Sequence, residues 1–436
     1  MDGAREQSRS TPRGPGSAGM AGVDRGFEHR DGRLTVEDLG HDDVWAAPRS
    51  HDPSEQAARR GAFRHGTCRS TGQVAARVVG SRDAAGPPIQ APRWPGICYT
   101  QVMLGVARAE APSFVVPRTA ERVAPARRLA SLDACRGIAV VGMLVANLVN
   151  VCLHDVPKVL THNYGDTLRA FDLPAPLFQF LVGVSLPLFL AHRRRNGRSE
   201  REAGLDAIRR FTLLIGLGIL LDGAGALSFV PRWGVLQTLG LGGIIATAFV
   251  GLPRWVMLGV VLQLLAFFSG AANGLVHARP DAALAFVPLT LAGLFVGEPL
   301  AGEGGPRGAA RRAACVAACA FVLAAGLYAV GIPFNKLLGT SSFVALATGV
   351  SASLLGLAAW LEDAGRTFPT WLLATGRSAL TAWVLLYVLV YYPAWLVFPG
   401  WERLAVPPGL LAVVAVTAAL CVTTIELDRR RIRIPL

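Results

Sequence analysis

Between His154 and Asp172 the chain carries two imidazoles and three carboxylates, at His154, Asp155, His162, Asp166 and Asp172, in a polar segment bracketed by two apolar runs. An imidazole titrates near neutrality, so it can take a proton from an amine or hydroxyl, or accept an acyl group itself. His162 is the leading candidate for that work. Asp166 and Asp172 follow it in the same segment, and either can hold the ring in one tautomer. The plain alternative is a solvated loop histidine at the headgroup level.

Other residues suggest binding rather than catalysis. Asp133 and Arg136 are spaced i, i+3 and so share a helix face, with Ser131 as a candidate N-cap. A carboxylate at that point suits the helix dipole, whereas Arg136 at a membrane edge either pairs with a neighbour or binds a phosphate. Asp172 opens the second apolar run beside Leu173 and Pro174, where an ionisable group reads as functional or as a helix-start carboxylate. Asn147 and Asn150 point the same way within the first run, either lining a polar path or bonding to neighbouring helices. Gln237, in the stretch PRWGVLQTLG with Arg232 and Trp233, is an amide about one turn into a bilayer and needs a partner. The loop GIPFNKLLGTSS supplies Asn335, Lys336, Thr340, Ser341 and Ser342. Asn163, Lys336 and Gln237 are donors that could polarise a carbonyl. Asp222 and Glu298 fall at span ends, where solvation is easy.

The elements that must position these groups are membrane helices. Of 436 residues, 52% are hydrophobic and 17% charged, against roughly 25% charged in soluble chains. Mean hydropathy is +0.41. From Gly137 onward, apolar blocks alternate with short polar loops, near 137–153, 173–191, 208–222, 233–251, 254–272, 282–300, 311–330, 342–361, 371–392 and 406–425. The expectation is an all-α, polytopic transmembrane bundle of about ten spans over 126–436. Residues 1–125 have no sustained period and read as a disordered extension, or as a mis-assigned start.

Arginines set the orientation. Arg193, Arg194, Arg195, Arg198, Arg201, Arg209 and Arg210 follow the second span, and Arg307, Arg311 and Arg312 the sixth. Arg254 and Arg366 follow the fourth and eighth, and Arg429, Arg430, Arg431 and Arg433 close the chain. The alternate loops hold only Lys158, Arg169, Arg232, Arg279, Lys336 and Arg403. That asymmetry places both termini in the cytoplasm of a multi-pass protein of the cell (inner) membrane. The net charge of +13 is therefore topological and excludes no membrane role; nucleic acid is not an expected partner. The seven cysteines show no CxxC spacing and no structural metal site is expected; Cys315 and Cys319 share a helix face as small packing residues.

Four stretches then resemble the heparan-α-glucosaminide N-acetyltransferase catalytic-domain family and its bacterial relatives. They are RLASLDACRGIAVVGMLVANLVN at 128–150, FDLPAPLFQFLVGVSLPL at 171–188, RWGVLQTLGLGGI at 232–244 and PFNKLLGTSSFVALATG at 333–349. TGRSALTAWVL at 375–385 is similar to that family's late Gly-Arg-Asn stretch, and the opening SLDxxRG also resembles a neighbouring group of bacterial polytopic proteins. The chain departs from the pattern in three places. His162, Asn163, Tyr164 and Gly165 make a shorter, Trp-less histidine loop; Gly339 stands where Trp is usual, and Ser378 where Asn is usual.

The resemblance implies transfer of an acetyl (acyl) group from cytoplasmic acetyl-CoA, as co-substrate, to an amino sugar or other glycan on the external side. His162 matches the family's catalytic histidine. The catalytic candidates are thus His162, Asp172 and Asp166. Arg136, Asp133, Asn147, Asn163, Gln237, Asn335 and Lys336 are candidates for binding acyl-CoA or acceptor. Expected partners are the bilayer, acyl-CoA and a glycan acceptor, with a homodimer left open. The rivals are a transporter or flippase of a lipid-linked sugar or small anion, and an inactive scaffold of envelope-polymer assembly. Transport is disfavoured because no internal repeat is evident and the ionisable residues cluster at span ends.

Overall fold

The structure, a computed structural model, describes residues 129–160, 166–226, 233–268, 275–398, 403–432 and 434. The expected extension over 1–125, and His162 and Asn163 with their loop, lie outside these residues. The described chain is helical, with a single isolated bridge between Leu153 and Leu404. We number the helices α1 (Ala130–Cys152), α2 (Pro174–Arg195), α3 (Glu200–Ala226), α4 (Val235–Ala248) and α5 (Arg254–Phe267). They continue as α6 (Val287–Ala301), α7 (Gly305–Ala329), α8 (Ser341–Asp363), α9 (Thr370–Arg377), α10 (Ala379–Leu386) and α11 (Val406–Arg429).

Among the described residues, six helices are long and apolar enough to cross a membrane: α1, α2, α6, α7, α8 and α11. The α9–α10 pair, bent by 76°, makes a seventh if counted as one span. The expected ten is not confirmed, and α3, α4 and α5 account for the difference. α3 starts at Glu200 rather than near 208, and its first half carries Arg201, Glu202, Asp206, Arg209 and Arg210. α4 and α5 have 14 residues each, about 21 Å of helix against a hydrocarbon core of about 30 Å.

α1 is the hub. Its faces pack on α2, α8, α9 and α11, and its buried side chains feed two separate apolar clusters. Cys135 and Ala139 join Phe180, Phe286 and Phe343 on one side; Val140, Leu144 and Leu148 join Trp383, Leu386 and Leu420 on the other. α2 and α6 touch backbone to backbone, because a Cβ at Gly183 or Gly293 would collide with the carbonyl oxygens of Thr290 and Phe180 respectively. Small residues of this kind are what let helices associate where lipid removes the hydrophobic drive. The expected N-cap at Ser131 is not used. α1 begins at Ala130 with Leu129 as its N-cap, two residues earlier, and Glu362 at the end of α8 accepts hydrogen bonds from the backbone N–H groups of Ala130 (3.1 Å) and Ser131 (2.8 Å). A distant carboxylate thus satisfies two of the donors every helix start leaves open. Cys315 and Cys319 are also corrected: both are exposed on α7 rather than packed.

Candidate functional site

The polar residues gather in three places along the bundle. At the end where α1 begins and α2 finishes, a cleft of about 240 Å³ opens between α1, α2, α3, α4 and the α9–α10 bend. Its rim carries Arg136, Arg210 and Arg377, while Met143, Phe178 and Trp383 line it as well. Arg136 reaches across from α1 to donate to the Ser185 hydroxyl of α2 at 2.5 Å, and lies 3.4 Å from Asp133. Arg377 is held by Asp428 of α11 through its Nε (3.2 Å) and Nη2 (2.9 Å), and Ser378 donates to the same carboxylate at 2.9 Å. Arg210 and Arg193 lie over the Phe189 ring, each 5.3 Å from its centroid. The Phe189 face holds Arg210 in place, while carboxylates accompany the others: Asp206 beside Arg193 at 3.3 Å, Asp133 beside Arg136 and Asp428 beside Arg377.

Deeper in the bundle, Asp222 near the end of α3 ties three elements together. Gln237 of α4 donates to it at 3.0 Å and the Tyr387 hydroxyl at 2.8 Å. The Tyr391 hydroxyl donates to Asn147 of α1 at 2.6 Å, and Tyr392 donates to the Leu221 carbonyl at 2.9 Å. Asn147 also donates back to Met143, and Asn150 to Ala146, so both amides are partly spent within α1. Tyr387–Tyr391 and Pro393–Val397 are wound as π-helix. The wider turn brings Tyr387, Tyr391 and Tyr392 to face the bundle together, and π segments often mark working sites. Glycines make the room: a Cβ at Gly218 or Gly234 would meet Gln237 or Asp222 at under 3.0 Å. Asp222 was expected to sit solvated at a span end; it is instead half-buried and bonded on both oxygens.

At the far end, where α1 finishes and α2 begins, Lys336 and Asp172 are both buried, with Nζ 4.0 Å from Oδ1. The backbone N–H of Arg169 donates to the second carboxylate oxygen at 3.0 Å. Burial pushes the Lys336 ammonium down to about 8, against the upward pull of Asp172. Asn335 donates to Asp166 at 3.1 Å, and its own side-chain oxygen accepts from the Leu338 N–H at 3.0 Å. Thr340 and Ser342 donate to the Pro333 carbonyl at 2.7 and 2.6 Å, closing the loop on itself. Gly339 is there because φ is +61° and a Cβ would strike Val276 and Ala285, which leaves no place for the bulkier residue usual in the resembling family. His277 stands nearby, 3.4 Å from the Thr238 hydroxyl and edge-on to Phe286. Exposed His154 pairs with Asp155 at 3.2 Å.

The predicted residues are therefore brought together in groups rather than at one point. Asp166, Asp172, Asn335 and Lys336 converge at the loop end; Asp133 and Arg136 lie at the opposite end; Asn147 and Gln237 belong to the interior network. Sequence reasoning did not single out Arg210 and Arg377 as partners of Arg136, nor Tyr387, Tyr391 and His277. The three tyrosines packed within Tyr387–Tyr392, just ahead of Pro393, were the available signal for the interior network.

Residues 128–292 match the family model described as heparan-alpha-glucosaminide N-acetyltransferase, catalytic. The match supports that family for the stretch from α1 into α6, and the family implies an acyltransferase. It takes in Asp133, Arg136, Asn147, Asp166, Asp172, Asp222 and Gln237, and stops short of Asn335, Lys336 and Arg377. No curated protein matches the chain. The apolar helices make this a multi-pass membrane protein, and residues 128–292 are similar to the catalytic region of a membrane acyltransferase family.

Proposed function

We propose that the protein transfers an acetyl (acyl) group from cytoplasmic acyl-CoA to an amino sugar or other glycan acceptor on the external side of the cell membrane. The observation that carries this reading is the cleft rimmed by Arg136, Arg210 and Arg377, on the same end of the bundle as Arg193, Arg194 and Arg195. Acyl-CoA is a polyanion with a slender apolar arm. Guanidinium groups suit its phosphates, and the apolar walls at Met143, Phe178 and Trp383 suit the pantetheine arm and its thioester.

On the other side, the acceptor would meet the loop-end group. Asp166 and Asp172 follow His162 in sequence, and His162 is our candidate for deprotonating the acceptor or for carrying the acyl group transiently. Lys336, with its ammonium weakened by burial, can still donate to a developing oxyanion near neutral pH. Gln237 and Asn147, fixed by Asp222 and Tyr391, lie between the two ends and would line the route by which thioester and acceptor approach.

The test is incubation of the purified protein in vesicles with radiolabelled acetyl-CoA and a panel of amino sugars, comparing wild type with His162→Ala. Thioester loss with label on the sugar, abolished in the variant, supports the whole scheme. Turnover that survives the substitution retains the enzyme and moves the chemistry to another group, with His277 and His154 next. No consumption of any acyl-CoA overturns the acyltransferase reading in favour of transport, for which the half-buried Asp222 would be the natural ionisable group.

A further inference from the structure

The three arginines of the cleft differ in how many of their N–H donors are already engaged. A guanidinium carries five, in a fixed fork. Arg136 engages both terminal nitrogens, one on Asp133 and one on Ser185. Arg377 engages Nε and Nη2, both on Asp428. Arg210 engages none: among the described residues it forms no hydrogen bond and no ion pair, and it rests on the Phe189 ring alone. Asp206, one turn earlier on α3, is taken by Arg193 (3.3 Å) and Arg198 (4.0 Å). Arg136 and Arg193 meanwhile lie close enough to Arg210 to repel it. The Arg210 side chain stays accessible and lines the cleft. An open fork thus stands in a place that like charges make unfavourable.

We propose that Arg210 is the residue that recognises a phosphate group in this cleft, taking two of its oxygens on the open fork. Arg136 and Arg377 chiefly brace the walls, α1 against α2 and α9 against α11, and offer their remaining N–H donors from the flanks. A planar guanidinium matches a phosphate bidentately, and the bound anion also removes the repulsion that Arg136 and Arg193 exert. That this phosphate belongs to acyl-CoA rests on the reading above. The headgroup of an anionic lipid offers the same chemistry at the same end of the bundle.

The test is thermal unfolding of the full-length protein in a phosphate-free maltoside detergent, with and without inorganic pyrophosphate or coenzyme A. Each anion is expected to raise the melting temperature of the wild type by several degrees near saturation. Arg210→Gln should lose that rise and bind coenzyme A roughly 100-fold more weakly. Arg254→Gln, outside the cleft, should respond as the wild type does. Arg210→Glu gives the sharper sign. Without ligand it should melt above Arg210→Gln, because its carboxylate answers Arg136 and Arg193, and neither anion should raise it further. A full pyrophosphate shift in Arg210→Gln, or Arg210→Glu melting at or below Arg210→Gln, overturns the site. So does a wild type that responds to neither anion nor to anionic lipid. Nanodiscs of phosphatidylcholine, with or without phosphatidylglycerol, then separate the two sources. A coenzyme A shift undiminished by phosphatidylglycerol assigns the phosphate to the donor. Shifts from pyrophosphate and phosphatidylglycerol that vanish in Arg210→Gln, with none from coenzyme A, leave the Arg210 site standing and remove acyl-CoA as its ligand.

Discussion

The two ends of the bundle handle charge in opposite ways. At one end Arg136, Arg210 and Arg377 line open space, with Asp133, the Phe189 ring and Asp428 beside them respectively. At the other, Lys336 is shut in against Asp172, and the surrounding hydroxyls and amides are turned inward on their own backbone. A charge left beside a cleft has a field to offer a ligand arriving from solution. A charge buried against its counter-ion has little field outside, but its protonation is tuned by the burial. The first arrangement suits capture of a polyanion and the second suits chemistry.

Substitutions can break this contrast in turn. The largest effect is expected from His162→Ala, where loss of a general base or acyl carrier lowers turnover by roughly 10²- to 10⁴-fold, read as label transferred from acetyl-CoA. Next comes Asp172→Asn, which removes the counter-ion of the buried Lys336 ammonium and should cost about 3 kcal/mol or more in detergent unfolding at neutral pH. The same lysine gives the loop end a pH signature. Its folded value of about 8 lies below the ordinary lysine value of 10.5, so between those limits the unfolded chain binds more protons. Stability from this group therefore rises with pH across that window, by up to about 3 kcal/mol, and is lacking below it. Melting curves of wild type minus Lys336→Met across pH 7 to 11 (roughly the window of a perturbed lysine) should show that rise, and a flat difference would contradict the burial argument.

At the arginine end the effect should be on affinity rather than stability. Arg136→Ala should weaken coenzyme A binding roughly 10- to 100-fold, the worth of one charge-assisted contact, with the unfolding midpoint little moved. Arg254→Ala removes an arginine that lies over Phe295 beside Glu298, outside the cleft, and should leave binding unchanged. Equal losses in the two variants would mean that general surface charge, not the cleft, attracts the ligand. The smallest effect is expected from Glu362→Ala, which strips the cap from α1 and should cost about 1 kcal/mol without altering either end's chemistry.

Much of the architecture was legible because it is local. Block lengths indicated where most of the helices run, and the i, i+3 spacing of Asp133 and Arg136 gave their pairing directly. Their i, i+3 neighbourhood did not, however, tell which other arginines would join Arg136, since Arg210 and Arg377 arrive on α3 and α9 through helix packing alone. Asp222 misled for a related reason. Its place at the end of an apolar block suggested solvent, but α4 and the π-wound stretch after α10 come back over it, and neither is near it in sequence. The span count is left unconfirmed where charge and apolar pattern overlap within one helix, as in α3, and where blocks of apolar residues exceed the helix they form, as in α4 and α5.

The hub position of α1 also bears on how the protein is made. Its open N–H groups wait for Glu362, its Gly137 face for Leu372, and its last residue for Leu404. At ribosomal speeds of about 5–20 residues per second, the chain from Ser131 to Glu362 takes roughly 10 to 50 seconds to emerge. Throughout that interval α1 carries Asp133, Arg136 and two asparagines into the bilayer with few of its final neighbours. It would spend that time beside the insertion machinery or an attendant chaperone, and release would follow completion of α8 and α9. Folding of this bundle is thus closed from its beginning only when its end has been synthesised.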